Sequence, residues 1–200
     1  MLKHRNSGLG GDLLVIVIKM KADIVDKISI PENVEVELDD GVVKVSSGKN
    51  NLERRFVYPM VTITKEGNDI IFASKNATKR EKRMINSFKS HIKNMIRGVG
   101  SDYVYRLMIC SSHFPMNVSV EKDELVIKNF LGEKISRKVK IINGIKVTIE
   151  GNIIKINGAD KENAGRMAGK IEMLTKIKNR DKRVFQDGCY IFDKAGKLIK

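Results

Sequence analysis

The chain has 200 residues with 38 Lys and Arg against 24 Asp and Glu, a formal net charge of +14. That excess is more than solubility asks for and points to nucleic acid or an acidic membrane surface as the partner. Cys110 and Cys189 show no disulfide spacing, which fits a reducing, intracellular setting, and the apolar run at residues 13–18 is too short to span a bilayer.

In chain order, residues 1–19 are an uncertain N-terminal arm in which Gly8, Gly10 and Gly11 precede that apolar run. A loose arm, an extra edge strand, a brief signal core and a leader ahead of a natural start at Met20 all remain open. A first repeat is expected over 20–100. There Val34, Val36 and Leu38 alternate with Glu35, Glu37 and Asp39, the period of a strand with one buried face. Asp40-Gly41 turns it back, Val43 and Val45 continue the hairpin, and strands around Phe56 and Ile63 lead through Gly67-Asn68 to Ile70 and Ile71. The stripe Ala77, Met84, Ile85, Phe88, Ile92, Met95 and Ile96 predicts a helix. Thr78 and Glu81 form a capping box at its start, and Gly98 is expected to end it.

A second repeat is expected over 101–178, opening with a strand at Tyr103–Ile109 and turning at Lys122–Glu124, Asn143-Gly144 and Gly151-Asn152. Its helix is predicted from about Asp160 to Ile177, with Ala164, Met167, Ala168, Ile171 and Leu174 inward and Gly165 and Gly169 permitting close packing on the sheet. The two copies align at one constant offset, Pro31 with Pro115, Asn33 with Asn117, Val36 with Val120, Gly48 with Gly132 and Gly67 with Gly151. The fold class expected is α+β, an internally duplicated domain in which each copy is an antiparallel sheet packed around one helix.

The positive charge is unevenly spread. Residues 75–97 carry eight basic side chains against Glu81 alone, including Lys79, Arg80, Lys82 and Arg83 at the head of the first helix. Residues 176–200 carry eight against three, mostly in a basic C-terminal tail expected at 179–200, beyond the core. In that tail basic residues alternate with Phe185 and Tyr190, offering phosphate contacts and stacking surfaces together, with Phe185 read as the anchor of the tail to its own domain. No GxSxG, Walker loop or dinucleotide fingerprint is present, and Cys110 with His113 lacks the partners of a tetrahedral metal site, so neither catalysis nor a cofactor is expected.

Four motifs in order, HIKNMIRGV from His91, HFPMNV from His113, KNFLGEK from Lys128 and the segment from Lys178 to Tyr190 with Asp187-Gly188, resemble the large-subunit ribosomal protein numbered six in bacteria and nine in eukaryotes. The similarity is to its archaeal and eukaryotic form and runs from Met20 to about Ile191. The resemblance implies a duplicated α+β fold and a non-enzymatic, cytoplasmic, structural role in the large ribosomal subunit. It also implies binding to large-subunit rRNA near the sarcin-ricin loop and stalk base, beside neighbouring ribosomal proteins and docking translational GTPases. Carried over by residue, Lys178, Arg180, Lys182, Arg183 and Tyr190 are the first RNA-binding candidates, and Asn129, Gly132 and Lys134 the second. Gly132 has an equal reading as a backbone requirement, with Phe130 and Leu131 in the core. From charge alone, Lys79, Arg80, Lys82 and Arg83 at the head of the first helix complete the set of RNA-binding candidates. The chain departs from many eukaryotic relatives in having no Trp. The alternative is a non-ribosomal RNA-binding protein or an RNA-processing enzyme, and a membrane-surface binder is disfavoured because both apolar helix stripes are needed to cover sheets.

Overall fold

The alternation in the first repeat becomes a half-buried sheet. In β2 (Glu35–Asp39) Val36 is buried between exposed Glu35 and Glu37, and in β3 (Val42–Ser47) Val43 and Val45 are fully buried. Between them Asp40 and Gly41 both hold positive φ, 40° and 75°, as the two-residue turn of a tight hairpin requires. Glycine is needed at Gly41 for space as well, since a Cβ there would stand 2.9 Å from Val57 and 3.1 Å from the Phe56 carbonyl. The computed structural model describes residues 22–48 and 50–199, so every expectation for residues 1–19 lies outside the described residues.

The duplication is visible as repeated topology. In the first copy β1 (Ala22–Ser29), β6 (Asp69–Ala77) and β5 (Thr62–Glu66) form an antiparallel sheet of order β1-β6-β5, while β2, β3 and β4 (Asn50–Arg55) form a second sheet in sequence order. The second copy repeats both arrangements. Here β7 (Tyr103–Cys110), β12 (Ile153–Gly158) and β11 (Ile145–Glu150) pair as β1, β6 and β5 do, and β8 (Asn117–Glu121), β9 (Glu124–Lys128) and β10 (Arg137–Lys140) pair as β2, β3 and β4 do. Among the described residues each copy has one α-helix, α1 (Lys79–Gly100) and α2 (Lys161–Leu174), and the class is α+β. The strand expected around Phe56 stops at Arg55, and Phe56 follows it into the core, edge-on to Phe88 at 5.2 Å. Two compact units emerge among the described residues, one of 22–45 with Glu53–Lys93, the other of the described residues of Ser46–Leu52 with 94–199.

The capping box at the head of α1 is formed. The backbone N–H of Thr78 donates to Glu81 Oε2 at 2.8 Å, the Thr78 hydroxyl bonds the same carboxylate, and the N–H of Arg80 donates to Thr78 Oγ1 at 3.2 Å. These bonds, the Thr78 hydroxyl first, hold the Glu81 carboxyl down at about 2. The expectation that Gly98 ends α1 is overturned, because the helix continues to Gly100. Gly98 serves close approach instead: a Cβ there would collide with the Ala159 carbonyl. In α2 the Asp160 side chain accepts from the N–H of Glu162 at 2.8 Å as N-cap, and Ala164, Met167, Ala168 and Ile171 are fully buried. Gly165 rests on the Tyr105 ring, whereas Gly169 faces open space. The helix ends at Leu174, short of Ile177, because Thr175 leaves helical geometry at φ −95° and ψ 9°.

The expectation that residues 179–200 lie outside the core is overturned for its second half. Strand β13 (Gly188–Lys194) pairs antiparallel with β7 and, with β14 (Lys197–Leu198), extends the sheet to the order β11-β12-β7-β13-β14. Cys189 is fully buried in the core of the second unit, and burial pushes its thiol up to about 12. The outer edge of β13 is closed by side chains from the end of α2. The N–H of Cys189 donates to Thr175 Oγ1 at 2.9 Å and that of Ile191 to Glu172 Oε1 at 3.2 Å, so edge donors that would otherwise need a further strand are satisfied.

Candidate nucleic-acid interface

Between α2 and β13 runs the loop that carries Lys178, Arg180, Lys182 and Arg183, all exposed. It is built rather than loose. Asp181 closes a turn in which its side chain accepts from the N–H of Arg183 at 2.9 Å and its carbonyl from the N–H groups of Val184 and Phe185 at 3.2 and 3.0 Å. Phe185 then stacks on His113 with ring centroids 4.6 Å apart, and the Arg180 guanidinium stands 4.8 Å from the Phe185 ring. Phe185 packs against the core of the second unit, as its reading as an anchor expected.

The far end of the loop is pinned by Asp187, which is buried. Its carboxylate accepts from the N–H of Ser112, from the N–H of His113 at 3.0 Å and from His113 Nδ1 at 2.6 Å. Burial works against ionisation, yet these bonds outweigh it and hold the Asp187 carboxyl below its ordinary range. A carboxylate only accepts, so the ring nitrogen facing it carries the proton. Next comes Gly188 at φ 153°, where a Cβ would crowd the Tyr190 ring at 3.3 Å. Tyr190 is half-exposed on β13, and its hydroxyl donates to the Asp187 carbonyl at 3.4 Å.

The NFLGEK turn reaches the same end of this unit. Asn129, Leu131 and Gly132 all take positive φ, 60°, 51° and 80°, and the Asn129 side chain donates to the Pro115 carbonyl at 3.0 Å. Phe130 is fully buried and Leu131 packs against the core, and the φ of 80° at Gly132 is a conformation that glycine adopts freely. Asn129 and Lys134 are exposed. Arg137 ties the turn to the helix: it clamps Glu133 through two bonds of 2.8 and 2.5 Å, donates to the Leu174 carbonyl at 2.5 Å and lies 4.2 Å over Phe130. The Glu133 carboxyl is lowered chiefly by its bond to Arg137, and Arg180 lowers it further, which brings the two candidate segments within electrostatic reach. Lys79, Arg80, Lys82 and Arg83 belong to the other unit, exposed on the first turns of α1, with Arg80 6.0 Å from the Tyr58 ring.

Among the described residues no group of three or more His, Cys, Asp or Glu is arranged to hold a metal, and no helix is long and apolar enough to cross a membrane. The model of a family described as Ribosomal protein L6 matches residues 30–101 and 114–188, one segment in each repeat. The chain belongs to the ribosomal protein L6 family. Curated relatives named Large ribosomal subunit protein uL6 agree, uL6 being the six of bacteria and the nine of eukaryotes. That of Nanoarchaeum equitans is 44% identical over 86% of this chain and 94% of its own length. Those of Methanococcus vannielii and Methanobrevibacter smithii are 40% and 42% identical, over 87% and 86% of this chain and 96% and 97% of theirs. The family is one of structural ribosomal proteins and not of enzymes.

Within this uL6 fold, the link between His113 and Asp187 escaped the sequence reading. Both residues stand in motifs that carried the resemblance, but 74 residues separate them and no spacing rule joins them. The topology does, because β7 and β13 are paired and the two motifs follow and precede those strands at the same end, Cys110 opposite Gly188.

Proposed function

We propose that this protein is a structural constituent of the large ribosomal subunit that binds large-subunit rRNA through the loop end of its second unit, near the sarcin-ricin loop and stalk base. Neighbouring large-subunit proteins and docking translational GTPases would then lie close by. The observation that carries this reading is the display of Lys178, Arg180, Lys182 and Arg183 on a loop braced by Asp181, Phe185 and Asp187. Folded RNA is met through phosphate and 2′-hydroxyl contacts, which need exposed cations on a rigid frame and no reacting group. Lys134 and Asn129 extend the same surface, whereas Lys79, Arg80, Lys82 and Arg83 form a second basic patch on the first unit. Hydroxyl-radical footprinting of large-subunit rRNA with the full chain tests the location. Protection at the sarcin-ricin loop and stalk base is expected, and protection confined to other helices would overturn it.

A further inference from the structure

Beside the basic loop, where the end of α2 approaches β13, the second unit holds a cavity of about 260 Å³. Its walls are mostly apolar: buried Ile177 and half-buried Phe185 line it together with Met173 and Tyr190, respectively 63% and 43% exposed. Two cations, Lys176 and Lys182, lie on the lining, together with a single carboxylate, Glu172. Met173 and Tyr190 thus bring a thioether and an aromatic ring together on one lining, and neither belongs to the core cluster of this unit.

From this juxtaposition we infer that the cavity receives one unpaired base of the bound RNA, stacked against Tyr190 and Met173 with its flanking phosphates on Lys176 and Lys182. The inference rests on the proposal that the adjacent loop binds rRNA. Charge and shape choose the occupant. The size is below the roughly 300–1,000 Å³ of clefts that swallow a drug-sized ligand, which suits a single ring system. A phosphate is a poor fit for the interior, since Glu172 would repel it and most of the remaining wall is apolar, while Lys176 and Lys182 on the same lining suit the backbone on either side of the base. Glu172 spends Oε1 on the N–H of Ile191, leaving Oε2 as an acceptor for a base N–H. Bases splayed from loops and bulges are bound in this way, with a flat face on an aromatic ring and an edge on a polar group.

The test measures affinity of the full chain for deproteinised large-subunit rRNA at several salt concentrations. Tyr190→Ala is expected to weaken binding about ten-fold at every salt, with the slope of log affinity against log salt unchanged, because stacking releases no counterions. Tyr190→Phe should keep wild-type affinity, and Met173→Ala, a change at an exposed helix position, should give a smaller loss in the same sense without moving the unfolding midpoint. Ultraviolet crosslinking of the wild-type complex should leave a nucleotide adduct on Tyr190. Unchanged affinity for both Tyr190→Ala and Met173→Ala would overturn the inference, as would a defect confined to incorporation into subunits, which would mark a protein side chain as the occupant. The loop proposal fails separately, through variants of Lys178 and Arg183, which lie outside the cavity lining, that leave the salt slope untouched.

Discussion

Glu81 shows how a single carboxyl couples helix formation to pH. It accepts from the backbone and hydroxyl of Thr78 and from the Tyr58 hydroxyl at 3.4 Å, and these bonds lower it from 4.5 to about 2. A carboxyl whose folded value is depressed contributes stability above its unfolded value and loses it as pH falls toward the folded one. The contribution of Glu81 is therefore complete above about pH 4.5 and fades between there and about pH 2. Urea unfolding of wild type and Glu81→Gln across pH 2–7 should show the variant less stable at neutral pH and the two curves converging in acid. A gap that stayed constant with pH would mean that the box acts through shape and not charge. This box was legible in the sequence because its partners sit three residues apart. Gly98 was misread because the neighbour that demands glycine, the Ala159 carbonyl, comes from a distant segment, and position near a helix end suggested the commoner role.

At the scale of elements, the informative case is β13. Its sequence, GCYIFDK, falls after the repeat and amid basic residues, so composition assigned it to a tail, while pairing with β7 makes it an inner strand of the five-stranded sheet. Strand alternation in β2 and β3 and the stripes of α1 and α2 were readable because a local period reports one buried face. What a strand pairs with is a long-range fact, and among the described residues β13 has no counterpart in the first repeat from which it could be copied. The structure predicts that two truncations differ sharply. A chain ending after Asp187 loses Cys189 from the core and uncovers the edge of β7, so it should lose cooperative unfolding of the second unit and aggregate. A chain ending after Gly196 keeps β13 and loses only the short β14, and its melting temperature should stay within a few degrees of wild type. Equal behaviour of the two would show β13 to be dispensable. For the candidate site, the exposed cations were legible from charge, whereas the frame beneath them was not, because Asp187, His113 and Phe185 meet only once β7 and β13 have paired.

Across the whole molecule, stability and the proposed RNA binding fall to different atoms of one loop. Phe185 and Asp187 face inward and hold it, while Lys178, Lys182 and Arg183 face water. Arg180 does some of both, since its guanidinium also lies over Phe185, an exposed contact that contributes on the order of 0.5–1 kcal/mol. The decisive measurement is rRNA affinity against salt for Arg180→Ala/Lys182→Ala/Arg183→Ala beside wild type, with unfolding midpoints taken on the same preparations. Each lost phosphate contact should lower the slope by about 0.7–0.9, so the triple variant should bind more weakly at low salt with a slope shallower by roughly two to three, while its midpoint moves only slightly. Unchanged affinity and slope in a folded triple variant would contradict the assignment of RNA binding to this loop and move it to the basic face at Lys79, Arg80, Lys82 and Arg83.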